Sequence, residues 1–196
     1  MHCTSTERAE SGSKLESGSG LALFETAIGT CGIAWSERGI IGVQLPEADR
    51  LATRSRLGQR FPHVSEAHAP VDVLLAMGRI VALLRGERVD LTPVTLDTRG
   101  LPDFDRAVYV AAREIGPGAT RTYGEIAKQI GHPNAAREVG IALARNPFAI
   151  IVPCHRVVAA NGKTGGFSAG GGVKTKLKLL AIEGGAGPLF DQSGPL

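Results

Sequence analysis

Nine residues restrict this chain more than any others. In Ile150-Ile151-Val152-Pro153-Cys154-His155-Arg156-Val157-Val158, a thiol, an imidazole and a guanidinium stand between two apolar runs that read as buried walls. Pro153 removes a backbone donor and holds Val152 extended, so Cys154 is expected at the end of a stiff, buried segment. A free thiol has a pKa of roughly 8.5, and neighbouring cationic or hydrogen-bonding groups raise its thiolate fraction. Two readings follow. Cys154 is a nucleophile favoured by His155 and Arg156, or it is an inert buried cysteine, since free Cys is among the most buried residue types and sequence neighbours need not be spatial neighbours.

The 196 residues suffice for a proper core and for one or two domains. No apolar run approaches the ~20 residues that span a bilayer, and the N-terminus lacks the apolar stretch of a secretory signal. Cys3, Cys31 and Cys154 are odd in number and without C-x-x-C spacing, which indicates neither a disulfide framework nor a zinc knuckle and suits a reducing cytoplasm. His2, Cys3, Cys31 and His63 are scattered, so no metal and no cofactor is expected. The net charge of +3 is unevenly spread. Lys and Arg number 11 against 14 Asp and Glu in residues 1–105, and 11 against 5 in residues 106–196. The basic half holds the thiol, which suggests a polyanionic partner for it; a solvated basic surface is the plainer alternative.

The fold class expected is α/β: a small N-terminal antiparallel-sheet α/β domain, then a mainly helical C-terminal domain with a helix-turn-helix. Residues 1–20, rich in Ser, Gly and Glu, read as a disordered extension. Three strands are predicted at Leu21–Ala27, Gly32–Trp35 and Ile40–Leu45. An amphipathic helix is predicted over Pro46–Phe61 with Leu51, Leu57 and Phe61 inward, and another over Val71–Leu84 on apolar residues 71, 74, 75, 81, 83 and 84. A short strand at Val94–Leu96 completes a scaffold domain over residues 21–97, and residues 98–103 read as a linker.

Phe104–Ile115 reads as a helix stopped by Gly116-Pro117-Gly118. Thr122 with Glu125 fits a capping box opening a helix that carries Tyr123, Ile126, Ala127 and Ile130. Gly131 ends it, His132-Pro133-Asn134 turns, and a second helix follows over Ala135–Ala144. Two short helices and a tight turn in the basic half suggest a helix-turn-helix. Ala135, Ala136 and Gly140 leave the second helix nearly bare, so its backbone can approach a partner, and Arg137 is its one long cation. Asn161–Gly172, with six glycines, reads as a mobile loop; Lys163-Thr164 lacks a P-loop's spacing. A last helix, Val173–Glu183, is predicted with Lys174, Lys176 and Lys178 exposed, ended by Gly184-Gly185. Residues 104–185 form the second domain and 186–196 a tail.

Pro153-Cys154-His155-Arg156-Val157 resembles the active-site motif of the O6-alkylguanine-DNA alkyltransferases, also called methylated-DNA–protein-cysteine methyltransferases. Thr122-Tyr123-Gly124-Glu125-Ile126-Ala127, Ala136-Arg137-Glu138-Val139-Gly140, Asn146-Pro147, Gly166-Phe167-Ser168 and Leu179-Leu180-Ala181-Ile182-Glu183-Gly184 agree in order and spacing. The likeness runs from about Phe104 to Gly185, and more loosely from Leu21.

The resemblance implies roles. Cys154 is the alkyl acceptor, His155 takes its proton through a water, and Glu183 orients His155. Tyr123 donates to the leaving purine, Asn146 braces the active-site segment, Ser168 lies near the 6-oxygen, and the carbonyls of Cys154 and Val157 accept from the exocyclic amine. Arg156 is structural. Arg137 matches the arginine that fills the space of the extruded base, with Ala135, Ala136, Gly140 and Thr122 at the DNA; family members set this helix in the minor groove. Glu138 departs from the small residue common there, and an acid facing phosphates would weaken binding. From the residues alone, Glu183 could be a solvated helix-end carboxylate and Tyr123 a core tyrosine. The implied reaction is irreversible alkyl transfer from O6-alkylguanine in duplex DNA, O4-alkylthymine being a further candidate, by a monomer with no cofactor, no membrane and no obligate protein partner. Rival classes are a DNA-binding module without transfer, against which Cys154 argues, and a thiol hydrolase, which has no use for Arg137.

Overall fold

In the computed structural model, which describes residues 18–160 and 163–184, three antiparallel strands lead and six helices follow. The expected extension and tail lie almost wholly outside the described residues. Strands β1 (Gly20–Thr26), β2 (Gly29–Ser36) and β3 (Gly39–Gln44) form the meander, in order β1-β2-β3. Pairing of Thr26 with Gly29 and of Ser36 with Gly39 closes both hairpins. The expected strand Val94–Leu96 is only a single parallel bridge between Leu96 and Ile40, because Ile40 bonds Thr95 and Asp97 and the ladder stops there.

Helix α1 (Arg50–Arg60) starts four residues later than Pro46, where Asp49 caps it by accepting from the Ala52 amide at 2.7 Å. Its inward residues are Thr53 and Leu57, and Leu51 is 75% exposed. Helix α2 (Val71–Leu84) has the expected bounds but another face: Val73, Ala76, Ile80, Leu83 and Leu84 are buried, and Val71, Leu74 and Leu75 are exposed. The buried set keeps the 3-and-4 spacing of one stripe. Only packing on the sheet selects it from a helix apolar on several sides.

Helix α3 (Asp103–Arg113) buries Val108, Tyr109, Ala111 and Ala112. Strand β4 (Arg121–Thr122), unforeseen, pairs in parallel with β5 (Val157–Val158), which ties the start of helix α4 (Tyr123–Gln129) to the segment after the thiol. The capping box is present, with Thr122 and Glu125 each accepting from the other's backbone amide. Helix α5 (Ala136–Ala144) follows the turn, and helix α6 (Val173–Ile182) closes the described fold.

One buried cluster runs from Phe24 on β1 to Leu179 on α6. The sheet reaches the thiol segment directly: Val43 bridges Phe148 in parallel, and its amide donates to the Pro147 carbonyl at 2.8 Å. Phe148 meets Tyr109 edge-on at 6.2 Å. No helix among the described residues is long and apolar enough to cross a membrane.

Candidate active site

Asn146, just past α5, shapes the segment that carries the thiol. Its Nδ2 donates to the Val152 carbonyl and its Oδ1 accepts from the Phe148 amide, both at 2.9 Å. Between those points the chain makes a tight reversal in which Val152 N donates to Phe148 O at 2.8 Å. Ile150 sits there at φ 72°, in the left-handed region, where a β-branched residue costs about 1–3 kcal/mol. Burial of its side chain and the two Asn146 bonds hold it. A single turn of 3-10 helix follows over Cys154–Arg156. With three residues per turn, successive side chains leave in directions about 120° apart. Cys154 therefore stays at the surface of a cleft while His155 and Arg156 turn into the core.

That divergence corrects one expectation. His155 and Arg156 do not crowd the thiol; both bind Glu183, which ends α6 and is buried. His155 Nε2 lies 2.9 Å from Glu183 Oε1, and Arg156 donates through Nε and Nη2 to the two carboxylate oxygens at 2.8 Å each. Burial pushes the Glu183 carboxyl up, but bonds from His155 and Arg156 outweigh it and bring it to about 2. Burial lowers the His155 pKa below its ordinary value, and Glu183 only partly opposes this. The ring is thus neutral at neutral pH. Beside a charged carboxylate, Nε2 carries the hydrogen, which leaves the lone pair on Nδ1. Nδ1 is buried and has no hydrogen-bond partner among the described residues.

The thiol is not a resting thiolate. Burial raises the Cys154 pKa; the Asn146 side chain, the Lys176 ammonium and the backbone amides of Cys154 and His155 oppose this only in part. A base is therefore needed when the sulfur attacks. The cation near the thiol is Lys176, expected on the exposed face and found fully buried. Its Nζ donates to the Val157 carbonyl at 2.6 Å and lies 5.8 Å from the centre of the Tyr123 ring. Burial lowers its pKa to about 8, against the pull of Cys154. Periodicity carried the signal: Lys176, Leu179, Leu180 and Glu183 share one 3-4-7 stripe.

Tyr123, Ala136, Arg137, Gly140, Cys154 and Ser168 line one cleft of about 480 Å³, within the range of small-molecule sites. Burial, then Cys154, raises the Tyr123 pKa, so the phenol keeps its proton. Ser168 Oγ donates to the Ala144 carbonyl at 2.8 Å, which draws the glycine-rich loop over α5. Other predicted residues fall elsewhere. Thr122 is the cap of α4, and Ala135 opens α5 beside the His132–Asn134 turn with Glu138, on a different concavity from Arg137. Val157 is buried, with its carbonyl taken by Lys176.

A family profile described as "6-O-methylguanine DNA methyltransferase, DNA binding domain" matches residues 103–185. A methylated-DNA–protein-cysteine methyltransferase of Mycobacterium tuberculosis is 48% identical over 120 residues, 59% of this chain and 70% of the relative. The crystal structure of Mycobacterium tuberculosis OGT in complex with DNA superposes with TM-score 0.66 at 36% identity, over 84% of this chain and 92% of that one. The O6-methylguanine-DNA methyltransferase of the archaeon Pyrococcus kodakaraensis gives 0.65 at 29% identity, over 85% and 99%. With the motif, the order of elements and this similarity in agreement, the chain belongs to the methylated-DNA–protein-cysteine methyltransferase family.

Proposed function

We propose that this protein repairs O6-alkylguanine in duplex DNA by moving the alkyl group onto Cys154. The observation that carries the reading is the half-buried thiol at the floor of a cleft rimmed by α5 and Arg137, with His155 and Glu183 buried behind it. A stacked base does not expose its O6 substituent to such a floor, so the nucleotide is extruded into the cleft, and Arg137 supports the gap it leaves. Ala135, Ala136 and Gly140 let α5 approach the duplex, with Thr122 alongside.

In the transfer, Cys154 Sγ attacks the alkyl carbon in line with O6. The S–C bond forms as the C–O6 bond breaks, and the electron pair stays on the purine. The thiol proton passes through a water to His155 Nδ1, while Glu183 holds Nε2–H and stabilises the imidazolium. Tyr123 donates to the purine so that guanine leaves neutral. Asn146 holds the thiol segment, Ser168 faces O6, and the Cys154 carbonyl accepts from the exocyclic amine, the Val157 carbonyl being engaged by Lys176 instead. A thioether does not hydrolyse readily, so each molecule acts once. In this reading the protein works as a cytoplasmic monomer, residues 21–97 scaffold the catalytic residues 104–185, and O4-alkylthymine is a second substrate.

The test is intact mass after incubation with a duplex containing O6-methylguanine, with Cys154→Ser as control. A gain of one CH₃ in place of H, mapped to Cys154, absent in the variant and ending at one equivalent, is the expected result. Binding of the lesion without mass gain would replace transfer by recognition alone.

A further inference from the structure

A second cavity, of about 310 Å³, is also lined by Cys154. It shares Leu143, Ala144, Cys154, Phe167 and Ser168 with the base cleft, so the two spaces meet at the thiol. Its far end is built by β3, the turn after it and α1, through Gln44, Glu47, Arg56 and Arg60. The reaction described above uses none of these four. Arg60 is fixed: Nη1 donates to the Val43 carbonyl at 3.1 Å and to Gln44 Oε1 at 2.9 Å, and Nη2 donates to the Pro147 carbonyl at 3.2 Å. Arg56, one turn earlier, is exposed and has no hydrogen-bond partner among the described residues. Burial first, then the charge of Arg56, lowers the Arg60 pKa, so the two guanidiniums bear on each other unfavourably. Glu47 brings one carboxylate, which accepts from Gln44 Nε2 at 2.9 Å. Arg145 is balanced by Asp105 at 2.9 Å. The far end therefore carries positive charge in excess.

Displacement geometry gives that charge a use. Sulfur, attacked carbon and O6 lie on one line, and whatever else the carbon bears projects sideways from it. A methyl group has only hydrogens there. A longer substituent therefore runs sideways past the thiol. The adjoining space is the second cavity.

We propose that the second cavity receives the distal part of extended O6 substituents, and that Arg56 and Arg60 favour those ending in an anion such as a carboxylate. The inference rests on Cys154 being the alkyl acceptor. The bonds made and broken are those of methyl transfer, and the distal carboxylate is unchanged.

The test compares single-turnover mass gain of the full chain on duplexes carrying O6-carboxypropylguanine, O6-butylguanine or O6-methylguanine. The readout is the ratio of the carboxypropyl to the butyl rate, which cancels any general loss of activity. A ratio of about ten at low salt, falling as salt is raised, is expected for a guanidinium–carboxylate contact. Arg56→Met should bring the ratio towards one, and Glu47→Gln should raise it. A ratio at or below one in the unaltered protein, or a ratio that Arg56→Met leaves unchanged, overturns the proposal. Failure on the methyl duplex would instead remove the acceptor reading beneath it.

Discussion

Glu183→Gln tests the buried relay through stability and rate together. The carboxylate takes three hydrogen bonds of 2.8–2.9 Å from groups that are themselves buried. Removing one member of a buried ion pair costs about 3–5 kcal/mol, because the remaining charge is left without its partner. Glutamine keeps one acceptor oxygen, so the lower figure, about 3 kcal/mol, applies, with a fall in Tm of roughly 6–12 °C for a chain of this size. The effect has a pH signature. Glu183 is brought from an ordinary 4.5 to about 2. A depressed carboxyl stabilises fully above its unfolded pKa, and that contribution is lost as pH falls through the folded one. Urea-unfolding curves of the two proteins should therefore lie furthest apart at pH 7 and converge between pH 4.5 and 2. The glutamine N–H also competes for His155 Nε2, which favours the tautomer with its hydrogen on Nδ1. Transfer from O6-methylguanine should slow by about 100-fold or more, the usual worth of a placed base. Equal stability at pH 7 with an unchanged transfer rate would refute the relay, and a stability gap that stays constant down to pH 2 would refute the assigned charge state.

Lys176→Met removes the ammonium that favours the thiolate, so the midpoint of iodoacetamide alkylation of Cys154 against pH should move upward. Stability should change by no more than about 2 kcal/mol, since the lost bond to Val157 is offset by no longer burying a charge. Gly165 has φ 70°, and an added Cβ would lie 2.7 Å from the Tyr123 oxygen. Gly165→Ala should therefore slow transfer by about tenfold, roughly the cost of left-handed backbone, while lesion binding measured by anisotropy is kept. Arg137→Ala, at an exposed position, should leave Tm nearly unchanged and weaken binding of the lesion duplex by about tenfold, as for an arginine that anchors an interface.

The meander was legible because its strands are short apolar runs bounded by glycine turns, and the bounds of α2 were legible because they are a local property. The inward face of α2 was not, since an apolar surface on several sides offers more than one stripe and only the sheet chooses. The capping box at Thr122 and Glu125 could be read because its partners are three residues apart. Cys154, Tyr123, Arg137 and Ser168 were named through the family resemblance, and they meet in one cleft.

The sequence by itself determined the local items: the strands and helices, the cap, and a thiol, an imidazole and an acid in a particular order. Tertiary structure decided which groups act on which. In the 3-10 turn adjacent side chains diverge, so His155 and Arg156, next to Cys154 in the chain, are claimed by Glu183, which lies 28 and 27 positions from them. The charge near the sulfur comes instead from Lys176, whose ammonium stays buried because the Val157 carbonyl, the Tyr123 ring and the potential thiolate compensate its desolvation. Burial and pairing depend on the whole packed chain, and they set whether a cysteine rests as thiol or thiolate.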